Sequence, residues 1–117
     1  MEQHYTKGKL VISDIWCKDK LPTNDEIKDM IETAIKTANM NICSYNEQVF
    51  EPYNGFTGVW ILSESHFSVH TYPEFNYFSL DCYTCGDTAK PEEAIKYILN
   101  NSNVLKNTFE VIDRGML

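Results

Sequence analysis

Between two stretches of helical periodicity lie four short runs rich in β-branched and aromatic residues, at positions 42–50, 59–63, 67–72 and 75–84. The breakers Pro52-Tyr53-Asn54-Gly55 and Pro73-Glu74 divide them, which predicts a strand-rich middle. Ahead of it, Lys9-Leu10-Val11-Ile12-Ser13-Asp14-Ile15-Trp16 is short, apolar and β-branched and predicts a buried first strand. Thr23 and Glu26 then stand at capping-box spacing, and Ile27, Met30, Ile31, Ala34, Ile35 and Ala38 recur at helical intervals, giving an amphipathic helix with one buried stripe. After the middle, Pro91-Glu92-Glu93 suits a helix start, with Ala94, Ile95, Ile98 and Leu99 as its apolar face and Asn100-Asn101-Ser102-Asn103 as its end. A short strand over 109–112 closes the chain. This order predicts an α+β fold: a two-layer sandwich in which a mainly antiparallel sheet carries both helices on one face, as a single domain over 1–117. The second sheet face is expected to be apolar and to need cover, which a homodimer supplies.

A chain of 117 residues with 43% apolar residues is large enough to bury a core without staples. Its net charge of −7, with scattered lysines and no basic cluster, argues against nucleic acid and is compatible with a cationic substrate. The polar start Met1-Glu2-Gln3-His4-Tyr5-Thr6-Lys7 holds no run resembling a signal peptide or membrane span, so a cytoplasmic protein with no membrane partner is expected. In that compartment the four cysteines, at 17, 43, 82 and 85, are expected as reduced thiols.

The chemistry concentrates in Ser63-Glu64-Ser65-His66-Phe67-Ser68-Val69-His70-Thr71-Tyr72-Pro73-Glu74 and in Thr84-Cys85-Gly86-Asp87. A serine on a tight turn between strands can hold its hydroxyl against the preceding carbonyl, where backbone strain drives an N-to-O acyl shift. β-Elimination of that ester at Ser65 leaves a dehydroalanine, which hydrolyses to a pyruvoyl group. His66 and His70 lie four residues apart, on one side of a regular strand. Their spacing is a zinc signature on a helix, but the context is strand-like and no third ligand stands out, so no metal is expected. Cys82 and Cys85 have redox-pair spacing, yet they end a strand rather than begin a helix, and their odd separation turns them to opposite faces. Cys82 reads as core. No glycine pattern that would cradle pyridoxal phosphate accompanies a lysine here.

These blocks resemble the bacterial and archaeal S-adenosylmethionine decarboxylase proenzymes over nearly the whole chain. The resemblance implies that family's fold and self-cleavage between Glu64 and Ser65, with a pyruvoyl group from Ser65 as the only cofactor. It further implies a Schiff base with the substrate amino group and no pyridoxal phosphate. By the same resemblance His70 abstracts a proton during processing, Thr57 takes the place of a serine that assists it, and Cys85 returns a proton to the product carbon. Glu74 would bind the ribose hydroxyls of S-adenosylmethionine, Phe50 and Tyr72 would stack on its adenine, and a homodimer would hold its active sites near the subunit interface. The chain departs from the family in three ways. Tyr72 stands where bacterial members commonly have tryptophan, Thr57 replaces serine, and Phe50-Glu51-Pro52-Tyr53-Asn54-Gly55-Phe56-Thr57-Gly58 has one extra residue. The added methyl of Thr57 restricts its rotamers, so slower processing than in a Thr57→Ser variant is expected. Two alternatives remain at the level of sequence: a pyruvoyl-dependent arginine or ornithine decarboxylase, and a non-processing regulatory homologue.

Overall fold

Six strands form one sheet in the order β2-β3-β4-β5-β1-β6, and each neighbouring pair runs antiparallel. The computed structural model describes residues 7–85 and 89–115. In chain order the elements are β1 (Gly8–Cys17), α1 (Asn24–Thr37), β2 (Ile42–Phe50), β3 (Gly55–Leu62), β4 (Ser65–Tyr72), a single 3-10 turn (Pro73–Phe75), β5 (Tyr77–Thr84), α2 (Pro91–Asn100) and β6 (Val104–Arg114). Strands β2 to β5 are joined by short connections and form a meander, after which β1 and β6 complete the sheet beside β5.

Both helices begin where the sequence places them. At α1 the Thr23 side chain accepts from the Glu26 amide while the Glu26 carboxylate accepts from the Thr23 amide, so the capping box is complete. At α2, Pro91 occupies the first turn, where its missing N–H costs nothing. Their apolar stripes, Ile27, Ile31, Ala34 and Ile35 on α1 and Ala94, Ile95 and Ile98 on α2, join one core with Val11, Ile15, Trp60, Phe67, Val69, Phe78, Leu80 and Cys82 of the sheet. Trp60 is fully buried there, and its Nε1 donates to Glu32 Oε2 at 3.0 Å, so the one polar atom of its ring is satisfied. No described helix is long and apolar enough to cross a membrane.

Three expectations need correction. The strand register places Asp14, Trp16, Thr57, His66, Ser68, His70, Tyr72, Tyr77, Ser79, Asp81 and Tyr83 on the face away from the helices, together with the aliphatic Leu10, Ile12, Val59 and Ile61. That face is therefore a mixture of polar, aromatic and aliphatic side chains rather than uniformly apolar, because β4 and β5 alternate apolar-in and polar-out while β1 and β3 also place aliphatic residues outward. The third strand starts at Gly55 instead of Val59: only 51–54 turn, and the Phe56 amide already donates to Thr71 Oγ1 at 2.9 Å. The last strand runs over Val104–Arg114, far beyond 109–112, because it pairs with the whole of β1 although its own side chains are mostly exposed.

Candidate active site

The two-residue connection between β3 and β4 is Ser63-Glu64, since Leu62 pairs with Ser65. Among the described residues four non-glycines have positive φ. Three are asparagines, which tolerate the left-handed region well, and the fourth is Glu64 at φ 61°. A tight hairpin of the type I′ kind needs positive φ at both central residues, and only Glu64 of this pair has it. The unfavoured residue in the unfavoured conformation thus sits immediately before Ser65, and each such position stores about 1–3 kcal/mol.

Cys85, just past the end of β5, donates its thiol to the carbonyl oxygen of Glu64 at 2.7 Å. This oxygen belongs to the peptide bond joining Glu64 to Ser65. The other thiol of the Cys-x-x-Cys pair points into the core: Cys82 is fully buried, and burial pushes its thiol up to about 12. The two sulfurs therefore do not form a redox pair. Cys43 also approaches the turn, with its sulfur 3.8 Å from Ser63 Oγ. His66 follows Ser65 directly, with its ring stacked on Tyr83, centroids 6.0 Å apart and planes 18° apart. Gly86 and Asp87, the rest of the fourth sequence block, lie outside the described residues.

A second cluster occupies the opposite end of β4. Thr57 and His70 are register partners, and Thr57 Oγ1 lies 3.0 Å from His70 Nδ1. In the tautomer with the proton on Nδ1, that proton is donated to Thr57 Oγ1 and the Nε2 lone pair is left free. Close by, Phe50, Tyr72 and Glu74 line one cleft of about 170 Å³ together with Glu51, Tyr53, Gly55 and Thr71. Gly55 pairs with Phe50 across β2 and β3, and a Cβ built on it would come within 2.6 Å of the Thr71 carbonyl oxygen. A glycine here lets β3 approach Thr71 and Pro73 closely at the edge of this cleft. The Tyr72 ring is stacked on Tyr77, with centroids 5.5 Å apart. Tyr77 in turn meets Trp16 at 5.0 Å, and the Lys106 ammonium lies 4.6 Å over the Trp16 ring. Burial and the Asp14 carboxylate, which accepts from the Tyr77 hydroxyl, hold the Tyr77 phenol up at about 12.

The structure brings Thr57 to His70, and Phe50 and Tyr72 to Glu74, but it does not bring either group to Ser65. Five residues of extended strand separate Ser65 from His70, about 16 Å, and an odd separation turns their side chains to opposite faces. His66 and His70 share a face but are about 13 Å apart along the strand, too far for one metal ion. Among the described residues no group of three or more His, Cys, Asp or Glu side chains converges. The sequence singled out neither Tyr53 as a wall of the cleft nor Tyr77 as the backing of Tyr72. An aromatic inside a turn, where polar residues are expected, was the available signal for Tyr53.

Residues 9–115 match the family described as S-adenosylmethionine decarboxylase. The S-adenosylmethionine decarboxylase proenzyme of Aquifex aeolicus is 36% identical over 114 residues, spanning 96% of this chain and 84% of that protein. The S-adenosylmethionine decarboxylase proenzyme 2 of Bacillus cereus is 40% identical over 100 residues, spanning 84% of this chain and 80% of that protein. The crystal structure of the adenosylmethionine decarboxylase from Aquifex aeolicus superimposes with a TM-score of 0.83 at 34% identity, covering 96% of this chain and 93% of that one. With the α+β architecture shared and nearly the full length matched, the chain belongs to the S-adenosylmethionine decarboxylase family.

Proposed function

We infer that the protein decarboxylates S-adenosylmethionine, yielding the aminopropyl donor for spermidine synthesis, through a pyruvoyl group formed from Ser65 at a site built by two copies of the chain. The observation that carries this reading is the Cys85 thiol 2.7 Å from the carbonyl oxygen of Glu64, a residue held at φ 61°. Attack of Ser65 Oγ on that carbonyl carbon breaks the C–N bond, forms an ester and leaves the hydroxyl proton on the freed amine. The left-handed backbone raises the ground state, and Cys85 donates to the oxygen on which negative charge develops. Removal of the Ser65 Cα proton then expels the Glu64 carboxylate. Tautomerisation and hydrolysis release the nitrogen as ammonia and leave a pyruvoyl cap on the second fragment, with no external oxidant.

The base for that proton is His70 of a second copy, since the chain's own His70 is about 16 Å away. A two-fold axis crossing β4 midway between the two clusters lays each His70 end over the other copy's Ser65 end, an isologous contact. Such packing buries the face carrying Ser68, Ser79 and Asp81, whose polar groups can then pair across the interface, and this accounts for a sheet face that is neither purely apolar nor purely polar. Thr57 holds the imidazole in the orientation that frees Nε2.

When formed, the pyruvoyl group supplies an electrophilic carbonyl for the substrate amine and a sink for the electron pair released with carbon dioxide. Phe50 and Tyr72 hold the adenine between their rings, and Glu74 accepts from the ribose hydroxyls. Cys85 holds the proton that the product carbon receives. Free cysteines, with Cys17 and Cys82 buried, fit a reducing, cytoplasmic setting.

Intact-mass analysis under denaturing conditions tests the first half of this reading. Two fragments split after Glu64, the second with a pyruvoyl mass and both absent from Ser65→Ala, support it; one uncut chain after long incubation points to a non-processing homologue. Release of labelled carbon dioxide from carboxyl-labelled S-adenosylmethionine, arginine and ornithine tests the second half. Release from arginine or ornithine alone overturns the adenosyl assignment.

A further inference from the structure

Phe50 and Tyr72 wall the cleft on two sides, Glu74 and Glu51 flank it, and the remaining exposed aromatic in its lining is Tyr53. Tyr53 is 59% exposed, more than Phe50 at 53% or Tyr72 at 41%. Its hydroxyl has no hydrogen-bond partner among the described residues, so no polar contact within the chain fixes its ring. Three half-exposed rings converging on one small concavity is an arrangement that a soluble protein keeps for a flat ligand.

The turn carrying Tyr53 is also held in place. Asn24 Nδ2, in the first turn of α1, donates to the Asn54 carbonyl oxygen at 2.9 Å. Asn54 takes φ 63°, a conformation asparagine accepts, and Gly55 lies so close to β4 that no side chain fits between them. The same tyrosine also lines the neighbouring cleft of about 380 Å³, together with Lys20, Pro22, Thr23 and Asn24.

We propose that Tyr53 is a specificity-determining residue that closes the cleft as a third aromatic wall, packing its ring against the edge of the nucleoside whose two base faces Phe50 and Tyr72 cover, with Asn24 as the positioning residue that fixes its turn. This rests on the reading of the cleft as the adenosyl site. The ring face, rather than the hydroxyl, makes the contact, and the two carboxylates beside it favour a ligand with a neighbouring positive charge such as a sulfonium.

The test uses the processed protein and two readouts: steady-state decarboxylation of S-adenosylmethionine, and calorimetric binding of 5′-methylthioadenosine, a neutral probe that keeps the adenosine and the sulfur. Tyr53→Ala is expected to weaken probe binding by up to about tenfold and raise KM by a similar factor at unchanged kcat, the loss of one aromatic contact with the nucleoside. Tyr53→Phe should restore both to within about twofold. Asn24→Ala should shift KM in the same direction by a smaller factor. Wild-type binding by Tyr53→Ala beside weakened binding by Glu74→Gln overturns the role of Tyr53 alone. Wild-type probe binding by both variants overturns the adenosyl reading of the cleft. A rise in KM that tracks loss of the dimer in sedimentation, with probe binding intact at saturating protein, makes Tyr53 an interface residue and refutes the proposal.

Discussion

Mixing two inactive chains should restore self-cleavage. Ser65→Ala removes the nucleophile and His70→Ala removes the base, so each variant alone stays intact. In one chain the two residues are separated by five strand residues, about 16 Å, far beyond the reach of two side chains and a hydrogen bond of about 3 Å. In a mixed dimer, one site combines Ser65 from the His70→Ala chain with His70 from the Ser65→Ala chain, while the other site has neither. Random pairing of equal amounts makes about half of the dimers mixed, so about half of the His70→Ala chains and none of the Ser65→Ala chains are cut in the first round. Intact mass distinguishes the two chains and their fragments without labels. The wild-type rate should also fall on dilution as dimers dissociate. The reasoning fails if mixing yields no fragments although mixed dimers are demonstrated, or if His70→Ala alone cleaves at the wild-type rate.

Other consequences concern single groups. Cys85→Ala should slow cleavage by about tenfold to hundredfold, below the loss of a stronger amide donor because a thiol donates weakly, while Cys82→Ala should lower the melting temperature and leave the cleavage rate alone. Gly55→Ala should cost about 1–3 kcal/mol in denaturant titrations, because the new methyl meets the Thr71 carbonyl oxygen at 2.6 Å. Equal stability would mean that the turn shifts freely. Glu47 has its carboxyl held below its ordinary value, first by its hydrogen bond from Lys28 and then by that from Tyr45. Its stabilisation is therefore present above the unfolded-state value and is lost as pH falls through the depressed folded one. Glu47→Gln should flatten that acid limb of a plot of melting temperature against pH, and an unchanged limb would refute the linkage.

The helices were legible residue by residue. Thr23 and Glu26 announce α1, Pro91 announces α2, and each apolar stripe lies in the core as its spacing requires. Strand existence was legible as well, but strand ends were not: the limits of β3 and β6 depend on Thr71 and on β1, partners distant in sequence, which override local preference. The composition of the outer sheet face went unread because the runs were judged by their apolar content rather than by which residues alternate. For the site, the motif from Ser63 to Glu74 suggests a single cluster, since its residues are neighbours in sequence. An extended chain advances about 3.3 Å per residue, so that contiguity is what drives Ser65 and His70 apart. Glu64 and Cys85 meet for the opposite reason: twenty-one residues of hairpin fold back to bring them together.

The stack of rings from Tyr72 through Tyr77 to Trp16 gives the molecule an optical readout of its own. The chain has two tryptophans, and Trp60 is sealed in the core beside Glu32, where its emission is insulated from events at the sheet surface. Trp16 lies on the outer face, two rings from the cleft and under the Lys106 ammonium. Changes in its fluorescence on titration with a nucleoside or with more protein would register filling of the cleft or covering of the sheet, and a Trp16→Phe chain gives the background from Trp60 alone.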